Sequence, residues 1–352
     1  MWRPCGAIDD TYIKDLAIVR TGPQWTVLVV GLLLIFLLPY YASGLVLNTI
    51  NLIAITVISL QGVNILTGMT GLITLGQASF MAVGAYTMTL MVVYWGWSFW
   101  VAAPIAGLIT GLVGIIVGLP SLRIKGFYLA LATLAAQFII PWLIMNVRPD
   151  LTGGTDTLTV PPPTIAGIAI TSQTSVFYLC MTVAALVTCF TRNIQRGRFG
   201  RAFIAIRDND LAAEIMGISI VRYKLLSFFL CSLYAGLAGA LYAVWTRGIS
   251  VEHFDLNESV WYLGMLIVGG MGSVPGAIFG AIFIRTLNIA VTYIGPWAGG
   301  FFPAATGTAI ELGLGPVVFG VVVLGFLIFE PRGLARIWER FKAFYRLWPF
   351  SY

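Results

Sequence analysis

Few residues in this chain could do chemistry, and their spacing limits what that chemistry is. A phosphate-gripping P-loop needs Gly directly before its Lys, but the four lysines follow Ile13, Ile124, Tyr223 and Phe341, so no nucleotide-hydrolysing loop is present. The run Gly269-Gly270-Met271-Gly272-Ser273-Val274-Pro275-Gly276 has the glycine content of a dinucleotide-binding turn without its spacing or a βαβ setting, and reads instead as a tight turn between two apolar segments. Ser79 and Ser273 lack the Gly-x-Ser-x-Gly elbow of a serine nucleophile, and the single imidazole, His253, falls in a loop beside Glu252 and Asp255. One His and four Cys without metal-ligand spacing offer no zinc site, redox centre or disulfide framework. No catalytic residue, metal site or bound cofactor is expected on this chain, which reads as a non-enzyme.

The elements that hold these residues are set by composition. The chain has 352 residues, 59% of them hydrophobic and 10% charged, with a mean hydropathy of +0.92. A soluble domain carries about 25% charged residues, so there are too few charges here to cover a solvated surface. Apolar runs of about 20 residues, the length an α-helix needs to cross the hydrocarbon core, recur from Val27 to Phe329. The fold class is therefore all-α, a polytopic integral membrane protein of about ten transmembrane helices. They lie near 25–42, 45–63, 70–93, 98–119, 127–146, 174–191, 225–245, 259–271, 274–294 and 316–329. An N-in, C-in arrangement puts all of the 20 Lys and Arg on the cytoplasmic side except Arg148, Arg247 and Arg285; nine or eleven spans would scatter them. The net charge of +6 is thus a topology signal, not a nucleic-acid footprint. Residues 1–24 form a cytoplasmic N-terminal segment; Asp9, Asp10 and Asp15 mixed with cations argue against a signal peptide. Residues 25–329 form the transmembrane domain, with a cytoplasmic loop at 192–224, and 330–352 a basic cytoplasmic tail. Pro161, Pro162 and Pro163 stiffen an extracytoplasmic loop.

Ionisable groups inside a span are costly and point to function. In this layout every Asp and Glu falls in a loop or tail, with Glu311 nearest to an exception, which weighs against a proton- or cation-coupled carrier. Arg285 is the sole intramembrane cation, either a structural residue bonded to carbonyls or a neighbouring subunit, or part of a path. The most polar span runs from Asn64 to Tyr86, where glycines and hydrogen-bonding side chains interrupt the apolar background. Such a stretch suits a broken or re-entrant helix, tolerated only when buried in protein or lining a wet cavity. Gly71, Thr74, Gly76, Gln77, Ser79 and Tyr86 are its candidate path residues. Close helix contact is the competing reading, as at Gly107/Gly111, Gly114/Gly118 and Gly276/Gly280.

In the 192–224 loop, Asp208-Asn209-Asp210 can cap a short helix from Leu211 to Met216 that Gly217 stops. The spacing Leu211-Ala212-Ala213-x-x-x-Gly217 resembles the Glu-Ala-Ala-x-x-x-Gly loop by which ABC importer permeases contact their ATPases. Here Leu211 replaces the leading Glu, the acid stands at Glu214, and the later Ile-x-Leu-Pro is missing. Five further motifs flank the region from Gly200 to Gly217. In chain order they are Gly71-Leu-Ile-Thr-Leu-Gly-Gln77, Pro120-Ser-Leu-Arg-Ile-Lys-Gly-Phe-Tyr-Leu-Ala130, Thr152-Gly-Gly-Thr-Asp156, Val268-Gly-Gly-Met-Gly-Ser273 and Phe329-Glu-Pro-Arg-Gly-Leu334. Together, over nearly the whole chain, they resemble the LivM-type permease of branched-chain amino acid ABC importers. The resemblance implies a permease subunit in a bacterial inner membrane, moving branched-chain or other small amino acids. It implies pairing with a LivH-type sister permease, two cytoplasmic ABC ATPases that hold ATP and Mg, and a periplasmic amino-acid-binding protein; the remaining contacts are lipid, with no nucleic acid. Arg201, Arg207, Asp208, Ala212, Ala213, Glu214 and Gly217 are the candidate ATPase-coupling residues, the small face at Ala212 and Ala213 being the part expected to enter the ATPase. A secondary transporter of small amphiphilic solutes is the alternative, and a membrane scaffold without transport would leave the polar span unexplained.

Overall fold

The computed structural model describes residues 26, 31, 36–122, 126–154, 156–165, 168–299 and 304–347. Within them the chain is a bundle of helices, as the apolar runs demand: in lipid only a helix satisfies its own backbone. The long elements are α1 (Gly44–Val63), α2 (Gln77–Trp95), α3 (Phe99–Gly118), α4 (Phe127–Asn146), α5 (Gln173–Arg196), α6 (Arg198–Asp208), α7 (Asp210–Ile215), α8 (Ile220–Thr246), α9 (Leu256–Gly269), α10 (Val274–Gly299), α11 (Ala304–Phe329) and α12 (Gly333–Leu347). Among the described residues, seven helices are long and apolar enough to cross a membrane, or eight counting α11 with α12, which meet at a 50° bend.

These seven or eight correspond to the expected spans from 45–63 onward, apart from 259–271. The expected span at 25–42 lies largely outside the described residues. At 259–271 stands α9, whose 14 residues rise only about 21 Å, short of the ~30 Å hydrocarbon core. The expected span at 70–93 begins later than its hydropathy suggests. α1 runs on through a π-helical turn, Asn64–Met69, and a non-helical stretch then leads to the start of α2 at Gln77. The class remains all-α, although the proline-bearing loop folds into two minimal ladders that hydropathy does not reveal. Leu158–Thr159 pairs antiparallel with Gly248–Ile249, and Thr164–Ile165 with Ile168–Ala169. The described part of the expected basic tail, up to residue 347, carries α12. Glu330 binds Arg336 at 3.5 Å and Arg340 at 3.0 Å, and α12 packs on α9 and α10.

The centre of the bundle is α8, which lies against α1, α2 and α3. This closeness needs glycine: a Cβ on Gly236 would meet Thr110 Oγ1 at 2.6 Å on one side, and a Cβ on Gly84 would overlap the Gly236 backbone on the other. Without side chains between them, α2, α3 and α8 make the dense contact that holds helices together where lipid is as apolar as the residues it faces. Gly111, Gly114 and Gly118 likewise receive side chains of α8, and Gly280 sits on the α9 backbone. The close-contact reading of these small-residue pairs therefore holds. One end of the bundle carries the β-ladders; the other carries the basic loops, α6, α7 and α12.

Candidate functional site

A helix that starts inside a bundle must have its first N–H groups satisfied by neighbours. At the start of α2, Ala78 N donates to Ser259 Oγ at 2.9 Å and Ser79 N to Gln137 Oε1 at 2.9 Å. Ser259 Oγ also donates to Gln137 Oε1 at 2.9 Å, while Gln137 Nε2 donates to Phe254 O at 2.8 Å. One amide on α4 thus ties the first turn of α2 to that of α9 and to the turn before it. Just upstream, Leu75 N donates to Thr133 Oγ1 at 3.0 Å, and a Cβ on Gly76 would meet Thr133 O at 2.9 Å.

The path candidates do not share one surface. Gln77 is buried, with Nε2 donating to Ser59 Oγ at 2.8 Å and to Ser59 O at 3.1 Å, and Oε1 accepting from Cys231 Sγ at 3.3 Å. Ser79 Oγ donates to Gly76 O at 2.8 Å and Thr74 Oγ1 accepts from Gly76 N at 3.3 Å, so both side chains bond the backbone of the turn that precedes α2. Tyr86 is buried and its hydroxyl finds no hydrogen-bond partner among the described residues. Gly71, at φ +77°, is exposed at the basic end, where a Cβ would meet Arg207 Cγ at 2.8 Å. Gln137, Thr133 and Ser259 were not anticipated. Thr133 and Gln137 stand four apart in an otherwise apolar run, hence on one helix face, and that spacing was the available signal.

The bundle also holds an ion pair whose cation is buried and whose carboxylate is partly exposed. Glu258, expected in a loop before 259–271, lies in the first turn of α9, because Asp255 caps that helix and starts it at Leu256, three residues before the hydropathy boundary; Glu311, the nearest exception in the sequence, falls within α11. Arg285, mid-way along α10, donates from both terminal nitrogens to Glu258, at 3.3 and 3.0 Å, and from Nε to Thr56 Oγ1 at 3.1 Å, with its guanidinium 5.9 Å from the Tyr262 ring centroid. This bidentate geometry compensates a charge that would otherwise be prohibitive in a low-dielectric interior. The structural reading of Arg285 as a carbonyl-bound residue is replaced by a side-chain network.

At the basic end, Asn209 Oδ1 accepts from Ala212 N at 3.1 Å to cap α7, and Gly217 ends it at φ +83°. Cap and stop match the sequence pattern. The helix is anchored by Asp210, whose Oδ2 lies 4.0 Å from the buried Lys224 Nζ. Its orientation differs from expectation. Ala213 is 3% exposed and faces the chain itself, whereas Leu211, Ala212, Glu214, Ile215 and Met216 face outward, Ile215 at 85%. Arg201 is exposed and donates to Arg196 O at 3.3 Å. Arg207 pairs with Asp208 at 3.1 Å and donates from its other terminal nitrogen to Gly68 O at 2.9 Å. The glycine run is a turn, as read: Gly272 N donates to Asn64 Oδ1 at 2.8 Å and Gly272 O accepts from Gln195 Nε2 at 2.9 Å. The broken span and the 192–224 loop therefore meet around a cleft of about 700 Å³ that includes Gly68, Gly71, Arg207 and Gly272.

A helical membrane bundle with an interrupted helix inside it and a short helix presenting Leu211, Ile215 and Met216 at its basic end fits a transport permease subunit. Residues 45–329 match the family described as branched-chain amino acid transport system / permease component, and the chain belongs to that family. It is 33% identical over 288 residues to the high-affinity branched-chain amino acid transport system permease protein LivM of Escherichia coli, covering 75% of this chain and 68% of that protein. To the LivM protein of Salmonella typhimurium it is 31% identical over 270 residues, covering 70% and 63%. A probable LivH permease of Methanocaldococcus jannaschii matches at 23% identity over 76% of this chain and 84% of that one. The LivM-type resemblance read from the six motifs is thereby established.

Proposed function

We propose that this protein is one half of the membrane pathway of an ATP-driven importer of branched-chain or other small amino acids. It sits in a bacterial inner membrane with both termini in the cytoplasm, which requires the short α9 to complete a tenth crossing together with the turns at its two ends. A LivH-type permease supplies the other half, two cytoplasmic ATPases bind ATP and Mg, and a periplasmic binding protein delivers the amino acid. The family match across 45–329 carries this reading. Exposed Leu211, Ile215 and Met216 on α7, next to the basic loops, support docking of an ATPase at that end. Through Arg207, movement of α6 and α7 would reach the π-helical turn and the interrupted start of α2.

The test is purification with native partners and reconstitution into vesicles. Leucine uptake that requires ATP, the binding protein and a co-purifying Walker-type subunit is expected. Uptake driven by an ion gradient without ATP would replace this reading with a secondary carrier.

A further inference from the structure

A cavity of about 130 Å³ opens among α1, α2, α8, α9 and α10. At about 30 Å³ for each water it has room for about four, enough for the charged groups and first carbons of a small amino acid. Its walls combine Leu52, Met81 and Phe254 with His253 and the charge pair Arg285 and Glu258. The Arg285 side chain is 9% exposed and that of Glu258 35%, so the guanidinium lies deeper and the carboxylate nearer the mouth. Resting on the amino-acid permease reading above, we propose that this cavity is a binding site for a zwitterionic, apolar amino acid, with the ligand carboxylate on Arg285 and its ammonium on Glu258.

Well-packed apolar residues of similar volume often serve stability as well as a buried ion pair does, so holding α9 to α10 is a weak reason for placing one here. An ionisable group in a membrane interior instead marks a solute path. The pair is neutral as it stands. A zwitterion inserted between its members satisfies both charges and keeps the site neutral. A simple anion would displace Glu258 and leave that carboxylate uncompensated, and a simple cation would strand Arg285. The aliphatic and aromatic walls then favour an apolar side chain, which the limited volume keeps small. A second cavity, of about 340 Å³, shares Trp245 as a wall and opens towards the β-ladder end beside Thr171 and Arg247. It is lined by Asn51, whose amide is fully buried with neither oxygen nor nitrogen hydrogen-bonded among the described residues. Such an amide has capacity for a passing polar solute, which makes this the antechamber.

The test uses the permease complex with its native partners. In a Cys-depleted Leu52→Cys variant, millimolar leucine should slow maleimide labelling at least fivefold. Neither 4-methylpentanoate, which lacks the ammonium, nor 3-methylbutylamine, which lacks the carboxylate, should do so. The double variant Arg285→Met/Glu258→Met, which leaves no unpaired charge, should co-purify with its partners and lose at least tenfold in leucine uptake. Labelling that leucine does not slow, or that either singly charged analogue slows equally, overturns the site, as does parental uptake by the double variant. Should the double variant fail to assemble, the labelling result decides. Protection by leucine in a complex without ATP-driven uptake would keep the site and sink the importer reading; ATP-driven uptake without protection would do the reverse.

Discussion

Arg207 donates to the main-chain carbonyl of Gly68 at 2.9 Å, joining α6 to the π-helical turn that ends α1. A π-turn leaves its carbonyls poorly placed for the regular ladder, and a guanidinium is an effective donor to one of them. A charge-assisted bond of this kind contributes about 1.5–3 kcal/mol. Arg207→Gln is expected to leave assembly intact and to reduce the amount of leucine moved per ATP hydrolysed severalfold. Measuring both rates in proteoliposomes checks this; an unchanged ratio would show that the contact is not part of the coupling route.

The outward face of α7 makes Ile215 the sharper probe of ATPase docking. Ile215→Asp places a charge where an apolar side chain is 85% exposed, so the permease should fold normally while retention of the ATPase in a pull-down falls at least tenfold, a loss of about 1.4 kcal/mol or more. Ala213→Arg, by contrast, forces a long cation into the buried side of α7 and should disorder the loop itself, seen as protease sensitivity of the isolated permease. If Ile215→Asp holds the ATPase at the parental level, α7 is not the docking element.

Gln137 is a joint between three helices, and Gln137→Leu strips the acceptor from Ser79 N and Ser259 Oγ and the donor from Phe254 O. Each buried group left unsatisfied costs about 1–3 kcal/mol. A lower thermal midpoint in detergent and faster amide exchange around residues 78–79 are expected. Parental exchange there would mean that water replaces the amide.

Gly236 has Gly84 on one side and Thr110 on the other. Gly236→Val should therefore separate α2 and α3 from α8 and abolish a monodisperse complex, since overpacking of a tight core costs about 1–3 kcal/mol or more. Gly320→Ala on α11, where nothing lies within 4 Å, is the matched control and should be silent in the same size-exclusion assay. Equal behaviour of the two would refute the close-contact account.

The orientation is checked by single-Cys labelling with an impermeant maleimide in cells whose outer membrane is permeabilised. Asp156→Cys, in the β-ladder loop, should react and Asn209→Cys, beside α7, should not. Reaction at Asn209 alone would invert the protein.

The sequence was most legible where a physical demand acts locally. Apolar length located the long helices, and the Asn209 cap and Gly217 stop outlined α7, because each rests on neighbouring residues alone. What it could not supply was pairing between distant residues. Glu258 looked like a loop carboxylate because its partner, Arg285, is 27 positions away on another helix and no local pattern links them. Ala213 looked like the contact face because small residues suit a groove; which side of a six-residue helix faces out is set by the Asp210 and Lys224 anchor. The polarity of Gln77 and Ser79 signalled an interrupted helix correctly, yet the groups that satisfy it come from α1, α4, α8 and α9.

The central place of α8 has a consequence for how the protein is made. Synthesis delivers α1, α2 and α3 to the bilayer well before Ile220–Thr246 emerges, and those are the helices whose inner faces α8 covers. Until then Gln77 lacks the thiol of Cys231, and Gly62, Gly84 and Gly114 face lipid instead of a neighbour. The newborn intermediate is thus a loose set of inserted helices with polar groups turned towards hydrocarbon. It depends on the insertion machinery for shelter and is the natural target of membrane quality-control proteases. A ribosome stalled before residue 220 should leave a protease-sensitive product, and one stalled after α8 has cleared the exit tunnel a resistant one.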